Sequence, residues 1–228
     1  MTEVAEAFTT PLNAEETRVL GCLIEKQLTV PDTYPMSLNS LVLACNQLNN
    51  REPVVRYDDG VVEVALGSLR KLHLARIIRA GAGSRVDKHK HVFDETIGVS
   101  VEEVAVLAVM MLRGPQTLNE LKTRTERMCG FDDVAEIERT LDGLINRMAG
   151  PLVVKMERQP GQKELRYAQL CSGEPAMPVQ AETGPSHPPG TANRIVELEA
   201  LVVEHSALLT ALADRISALE AFKGQLES

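Results

Sequence analysis

Apolar residues recur at helical spacing in one stretch of this chain after another, and turn residues mark where each stretch stops. Val19, Leu20, Leu23 and Ile24 share one helical face. Asn13 stands where an N-cap is needed, with Glu16 in capping-box position, and the helix is expected to close near Gln27. Residues 28–36, LTVPDTYPM, hold two prolines and read as a loop. A second helix is predicted from Ser37, with its stripe at Leu38, Leu41, Val42 and Cys45. It stops at a polar cluster, Asn46, Gln47, Asn49, Asn50 and Arg51, closed by Pro53. A third begins about Asp58, with acids in the first turn as the helix dipole favours, and apolar positions at Val61, Val64, Ala65, Leu69 and Leu72. The apolar run with β-branched residues from Leu74 to Ile78 predicts a strand. The segment GAGSRVDK follows as a hairpin tip, and a return strand is expected from His91 to Phe93.

The same order then recurs. Ser100 with Glu103 opens a strongly apolar helix that runs through Leu112 and is stopped by Gly114-Pro115. Thr117 with Glu120 starts the next helix. Asp133 with Glu136 starts another, whose face is Val134, Ile137, Leu141, Leu144, Ile145 and Met148. Leu152 to Met156 and Leu165 to Leu170 read as strands around Pro160-Gly161. Helix, helix, helix, strand, turn, strand is the order of a winged helix. The expected fold class is therefore mainly α (α+β): two winged-helix domains in tandem, at 13–95 and 100–171, after a disordered start at 1–12. Residues 172–191 carry five prolines and three glycines and read as a flexible linker. In residues 192–228 a heptad places Ile195, Val202, Leu209, Ile216 and Lys223 at a, and Leu198, His205, Leu212, Leu219 and Leu226 at d. Eight of these ten seam positions are apolar, which predicts a coiled coil and a homodimer through residues 193–226.

Composition narrows the function. Aromatic residues make up 3% and Trp is absent, which counts against single-strand binding by base stacking. The net charge of −8 is uneven: residues 13–95 sum to zero, 100–171 to −1 and 172–228 to −5. The first twelve residues show neither a basic n-region nor an apolar h-region, so no signal peptide is expected. The longest apolar run, Val104 to Leu112, is too short to cross a bilayer. Cys22, Cys45, Cys129 and Cys171 form no C-x-x-C pair and read as free thiols of a cytoplasmic protein.

Several motif residues resemble a known family: Glu25-Lys26, Thr33-Tyr34-Pro35, Ser37-Leu38-Asn39, Ala44-Cys45-Asn46-Gln47 and Asn50-Arg51-Glu52-Pro53-Val54. Over about residues 13–170 the chain resembles the YceH-like proteins, an uncharacterised bacterial group. The resemblance implies two winged-helix domains and a cytosolic protein. It brings no activity and no catalytic residues.

The candidate nucleic-acid-binding residues lie along the predicted wing. Arg70, Lys71, Arg76, Arg79, Arg85, Lys88 and Lys90 face a single acid in residues 70–91, Asp87, for a local charge of +6. A basic hairpin suits phosphate contacts, while a solvated charge run is the plain alternative. The two third helices point the other way. One opens with Asp58 and Asp59 and carries Glu63; the other carries Asp133, Glu136, Glu138 and Asp142. Base reading at such helices favours Arg, Lys, Asn and Gln. Gln47 and Arg51, with Asp58 and Asp59, are candidate contacts for a protein partner, although Asn and Gln in a turn more often tie down backbone. His89 and His91 would share one face of a strand, but no third ligand with metal-like spacing accompanies them. No G-x-S-x-G, H-E-x-x-H or P-loop is present. The expectation is a non-enzymatic protein without cofactor or metal. It would associate with duplex DNA at low sequence specificity through the wing, or act as a scaffold that binds a protein through the acidic helices.

Overall fold

In the computed structural model, which describes residues 11–80, 86–158 and 164–175, the centre of the molecule is helix α1 (Ala14–Thr29). The capping box forms as expected: Asn13 Oδ1 accepts from the Glu16 amide at 2.8 Å, and Glu16 Oε2 accepts from the Asn13 amide at 2.9 Å. Sequence pattern suggests one apolar face for this helix. Instead every residue from Glu16 to Glu25 is buried, because α2 (Leu38–Cys45), α3 (Asp59–Lys71), α5 (Val101–Arg113) and strand β3 (Lys88–His91) all pack against it.

The segment expected as a loop after α1 contains a single 3-10 turn, Pro31–Thr33, and a two-residue strand, β1 (Met36–Ser37). β1 pairs antiparallel with β3 in the register Met36 to His89 and Ser37 to Lys88. β3 pairs on its other side with β2 (Ala75–Ile78), so the sheet order is β1-β3-β2. Ser37 Oγ caps α2 and Asp58 Oδ1 caps α3, as their residue types predict. Two expectations are corrected here. The buried stripe of α3 is Val62, Ala65, Leu66 and Leu69, one residue round from the expected set, and Val64 is 74% exposed. The return strand is Lys88–His91 rather than His91 to Phe93. After His91 the chain turns inward to bury Phe93, which opens the short helix α4 (Phe93–Ile97), closed by Gly98 at φ 71°.

In the second half, Ser100 with Glu103 and Thr117 with Glu120 form the expected capping boxes of α5 and α6 (Leu118–Thr125). Gly114, at φ 71°, stops α5. Asp133 caps α7 (Val134–Ile145), but Glu136 reaches back to the amide of Asp132 rather than to that of the cap. Met148, expected on the apolar face, lies beyond α7 and is fully exposed. Strands β4 (Val153–Lys155) and β5 (Tyr167–Gln169) close a hairpin shorter than the predicted runs. Gln116 and Tyr167 exchange backbone hydrogen bonds of 2.9 and 2.8 Å. In each half, then, the segment just before the second helix pairs with the return strand.

The two halves share a continuous core and form one compact unit. Residues 13–95 and 100–171 are therefore two parts of one body, joined where α1 lies on α5. Leu12 belongs to it as well, correcting the disordered start at that residue: it is buried, and its amide donates to the Cys171 carbonyl at 2.8 Å. Residues 1–10, the wing tip at 81–85 with Arg85, the Pro160-Gly161 turn, the linker from 176 and the coiled-coil segment lie outside the described residues.

Gly21 sits at the α1–α5 contact. A Cβ there would lie 3.0 Å from Leu112 Cγ and Cδ2 and 3.1 Å from Met111 Cβ. A branched side chain has to push the helices apart, so Gly21→Val should destabilise the whole unit by about 1–3 kcal/mol. Chemical denaturation should show one transition at a lower midpoint. Loss of the second half alone, with the first half still folded, would contradict a single shared core.

Candidate functional site

Strand alternation divides the β2–β3 hairpin into two faces. Arg76, Ile78, Lys88 and Lys90 lie on one; Ala75, Ile77, His89 and His91 lie on the other, where Ala75 and both histidines are buried against the core. Arg76 stands directly opposite Lys90. Like charges in that position repel, and Glu95 of α4 lies between them, 3.8 Å from Arg76 Nη1 and 3.9 Å from Lys90 Nζ. Arg79 pairs with Asp87 at 2.9 Å, and the same carboxylate accepts from the Ala80 amide at 2.8 Å. Lys71 is exposed, while Arg70 is half-buried and its charge acts on His89 behind the hairpin. The structure thus brings Arg76, Arg79, Lys88 and Lys90 together on the hairpin. It sets Asp87 and Glu95 among them, which makes the patch less basic than the linear count.

Burial pushes both histidines below the usual imidazole range, His91 to about 4. Asp94 opposes the shift at His91, with its Oδ1 3.5 Å from Nδ1, and Lys90 adds to it. His89 Nδ1 and both ring nitrogens of His91 lack hydrogen-bond partners among the described residues. The His91 amide donates to the Tyr34 hydroxyl at 2.7 Å. Among the described residues no group of three or more His, Cys, Asp or Glu is placed to hold a metal. Nor is any described helix long and apolar enough to cross a membrane.

Neither third helix offers a base-reading set. Asp58 spends its side chain on capping α3, and the exposed positions that follow include Asp59, Gly60, Glu63 and Val64. On α7 the exposed positions include Glu138, Arg139 and Asp142.

The turn between α2 and α3 is a polar lock. Asn46 donates to the Tyr57 carbonyl and accepts from the Tyr57 amide, each at 2.7 Å, so its side chain completes a backbone-like pair. Arg51 is corrected as a partner contact: its side chain has 0% exposure. Its Nη1 and Nη2 donate to the two Glu25 oxygens at 3.0 and 2.6 Å, and Nε donates to the Ala44 carbonyl at 3.0 Å. Gln47 is exposed, yet its Oε1 accepts from Arg51 Nη2 at 3.0 Å. Arg18, also buried, donates to the carbonyls of Cys45 and Pro53. Burial alone would raise the Glu25 carboxyl, but Arg51, and then Lys26, hold it below the usual range. Cys22 and Cys45 are free and buried beside this lock.

Comparison with known proteins follows the same elements. A family model described as "Protein of unknown function, DUF480" matches residues 12–162, from the start of α1 through β4. The chain is 42% identical over 220 residues to the UPF0502 protein of Geobacter sulfurreducens, covering 95% of this chain and 98% of that one. It is 44% identical over 209 residues to that of Pectobacterium atrosepticum, covering 88% and 97%. To that of Geotalea daltonii it is 49% identical over 174 residues, covering 76% and 78%.

Two outcomes test the site's supports. Arg51→Ala leaves the buried Glu25 carboxylate answered by Lys26 alone, 3.0 Å away, and should cost up to about 3–5 kcal/mol, whereas Glu25→Leu with Arg51→Met should recover much of that loss. Equal denaturation midpoints for wild type and Arg51→Ala would exclude the lock. His91 is neutral when folded and has an ordinary imidazole pKa when unfolded, so stability is full above about pH 6.5 and falls as pH drops toward 4. At pH 5 the loss from this group should be about 2 kcal/mol. His91→Gln should flatten that part of the pH–stability curve, and an unchanged slope would remove His91 as its source.

Proposed function

The chain belongs to the DUF480 family of UPF0502 proteins, the uncharacterised group that its Ala44-to-Val54 motif resembles, and we propose that it is a non-enzymatic, cytoplasmic tandem winged-helix protein that associates with duplex DNA through the β2–β3 hairpin. One observation carries this reading: the outward face of the hairpin sets Arg76 beside Lys88 and Lys90, with Arg79 following β2. Their carboxylate partners do not hold them tightly. The pairs to Glu95, at 3.8 and 3.9 Å, are long and open to water and are worth about 0–1 kcal/mol each. A phosphate can take the place of such a partner and release counterions as it does so. Winged-helix architecture is supported by the pairing of the segment before the second helix with the return strand in both halves. Binding of this kind reads the backbone, and the acidic exposed face of α3 offers no base-specific donors, so sequence preference is slight. The heptads at 193–226 support a homodimer that carries two hairpins.

A second reading rests on α3 itself. Its exposed Asp59, Glu63 and Val64 combine acid with an apolar side chain, which fits a basic protein surface better than DNA.

Fluorescence anisotropy on a random duplex across a salt series separates the two. Arg76→Ala with Lys88→Ala and Lys90→Ala should abolish most binding and flatten the log–log salt slope by about 0.9 for each phosphate no longer neutralised. Glu95→Gln should strengthen binding, because it frees two cations at once. No binding at low salt, or a Glu95→Gln variant no tighter than wild type, would move the assignment to the protein-docking reading.

A further inference from the structure

The turn that carries Arg51 also crosses to the second half of the molecule. The Glu52 amide donates to the Leu112 carbonyl at 2.8 Å, and Arg113 donates to Asn50 Oδ1. Two cavities open at this crossing. The smaller, about 240 Å³, is lined by Asn50, Arg113, Gln116, Glu120, Arg124 and Arg166 among others. The larger, about 380 Å³, lies between the end of α1, the turn and the end of α6, and includes Lys26 and Arg127. Asn50 and Arg124 line both. Asn50 holds a left-handed backbone at φ 63°, a conformation that non-glycine residues adopt sparingly.

Charge in the smaller cavity does not balance. Glu120 Oε1 lies 3.4 Å from Arg124 and its Oε2 3.0 Å from Arg166, while Oε2 also accepts from the Thr117 amide at 2.9 Å. Arg113 has no carboxylate partner among the described residues, and neither does Arg127. Burial and the neighbouring Arg124 guanidinium both press on the Arg113 charge and lower its pKa. Glu52 and Glu120 line the smaller cavity with Arg51, Arg113, Arg124 and Arg166, so cations outnumber carboxylates there, and such an excess of guanidinium groups in a concave site fits a bound oxyanion.

A second, independent feature points the same way. Gln116 is 2% exposed and lines the smaller cavity. Its Nε2 donates to the carbonyls of Arg113, Gly114 and Pro115 at 3.2, 3.0 and 3.0 Å, which fixes the chain just behind Arg113. Its Oε1 is buried and has no hydrogen-bond partner among the described residues. An orphan acceptor beside a cluster of cations calls for a ligand that presents an O–H next to its negative charge.

We propose that this cleft is a binding site for a phosphate monoester, whose oxygens are held by Arg113 and Arg124 and whose P–OH or neighbouring hydroxyl donates to Gln116 Oε1. The larger cavity takes the group that carries the phosphate, beside Lys26 and Arg127. A simple carboxylate lacks the hydroxyl and the third oxygen and fits less well. The site is separate from the hairpin and does not depend on the DNA reading. Its phosphate can come from a free small molecule or from a nucleic-acid backbone.

Titration calorimetry on the full chain tests it, with inorganic phosphate and AMP as probes and with acetate and adenosine as controls at matched ionic strength. Phosphate and AMP should bind; acetate and adenosine should not. Arg113→Gln should weaken both probes about tenfold or more, the scale of one charged hydrogen bond removed. Arg139→Gln, on the exposed face of α7, should change neither. Arg127→Gln removes an exposed side chain with no ion-pair partner among the described residues, so it should fold normally and weaken AMP more than inorganic phosphate. A competition arm identifies the source. If inorganic phosphate displaces duplex DNA and Arg113→Gln abolishes DNA binding, the occupant is a backbone phosphate; if DNA binding is untouched, it is a free phosphorylated molecule. Heats for phosphate no larger than for acetate would overturn the proposal. So would unchanged affinity in a folded Arg113→Gln, or, should that variant fail to fold, an Arg127→Gln with wild-type affinity for AMP.

Discussion

Everything in this molecule is arranged around a carboxylate almost closed off from bulk water. α1 is enclosed by helices from both halves, so any ionic group on its inner turns must be answered from inside the protein. Glu25 is answered by Arg51, whose fork meets both carboxylate oxygens while Nε reaches the last turn of α2. A Lys could neutralise the charge but not make that planar set of contacts. An ion pair of this kind adds little net stability, because desolvating both charges costs about what their attraction returns. What it fixes is position. With Arg51 anchored, the neighbouring Asn50 and Glu52 are brought to the end of α5, and Asn46 holds the start of α3 through Tyr57. One pair thereby aligns the two halves, and the cleft between the turn and α6 exists because of that alignment.

Much of the local structure was legible in the sequence. Caps at Asn13, Ser37, Asp58, Ser100, Thr117 and Asp133 carry a short-range chemical signature, and all six form. The burial of Glu25 and Arg51 was not legible, because charged side chains are ordinarily taken to face solvent. A signal did exist: Glu25 directly follows Ile24 of the apolar face, and Arg18 directly precedes Val19. Only the crowding of α1 by four other elements makes those positions interior, and crowding is a property of tertiary packing. The rotation of the α3 stripe from Val64 to Val62 and Leu66 has the same origin. Val61, Val62 and Val64 are equally apolar, so the choice among them is made by where α1 and α2 lie. At the hairpin, cationic residues could be counted along the chain, but Glu95 could not be placed among them, because its approach depends on the inward turn that buries Phe93.

The two faces of the hairpin are tied by register. Side chains alternate along a strand, so a slip of one residue would carry Lys88 and Lys90 inward and turn His89 and His91 to solvent. Burying two ammonium groups against α1 is far costlier than burying two neutral imidazoles. β1 reinforces the choice by pairing Met36 with His89, and the Tyr34 hydroxyl does so by accepting from the His91 amide. The buried histidines give the strand an inner face that is neutral at ordinary pH while keeping every cation on the outer one. The basic row that carries the DNA reading is therefore held outward from behind, by uncharged side chains shielded from solvent. Anything that charges those imidazoles loosens the support before it alters the row itself. The pH at which the hairpin loosens is then set first by the depth at which His91 is buried, with Asp94 opposing that effect and Lys90 adding to it.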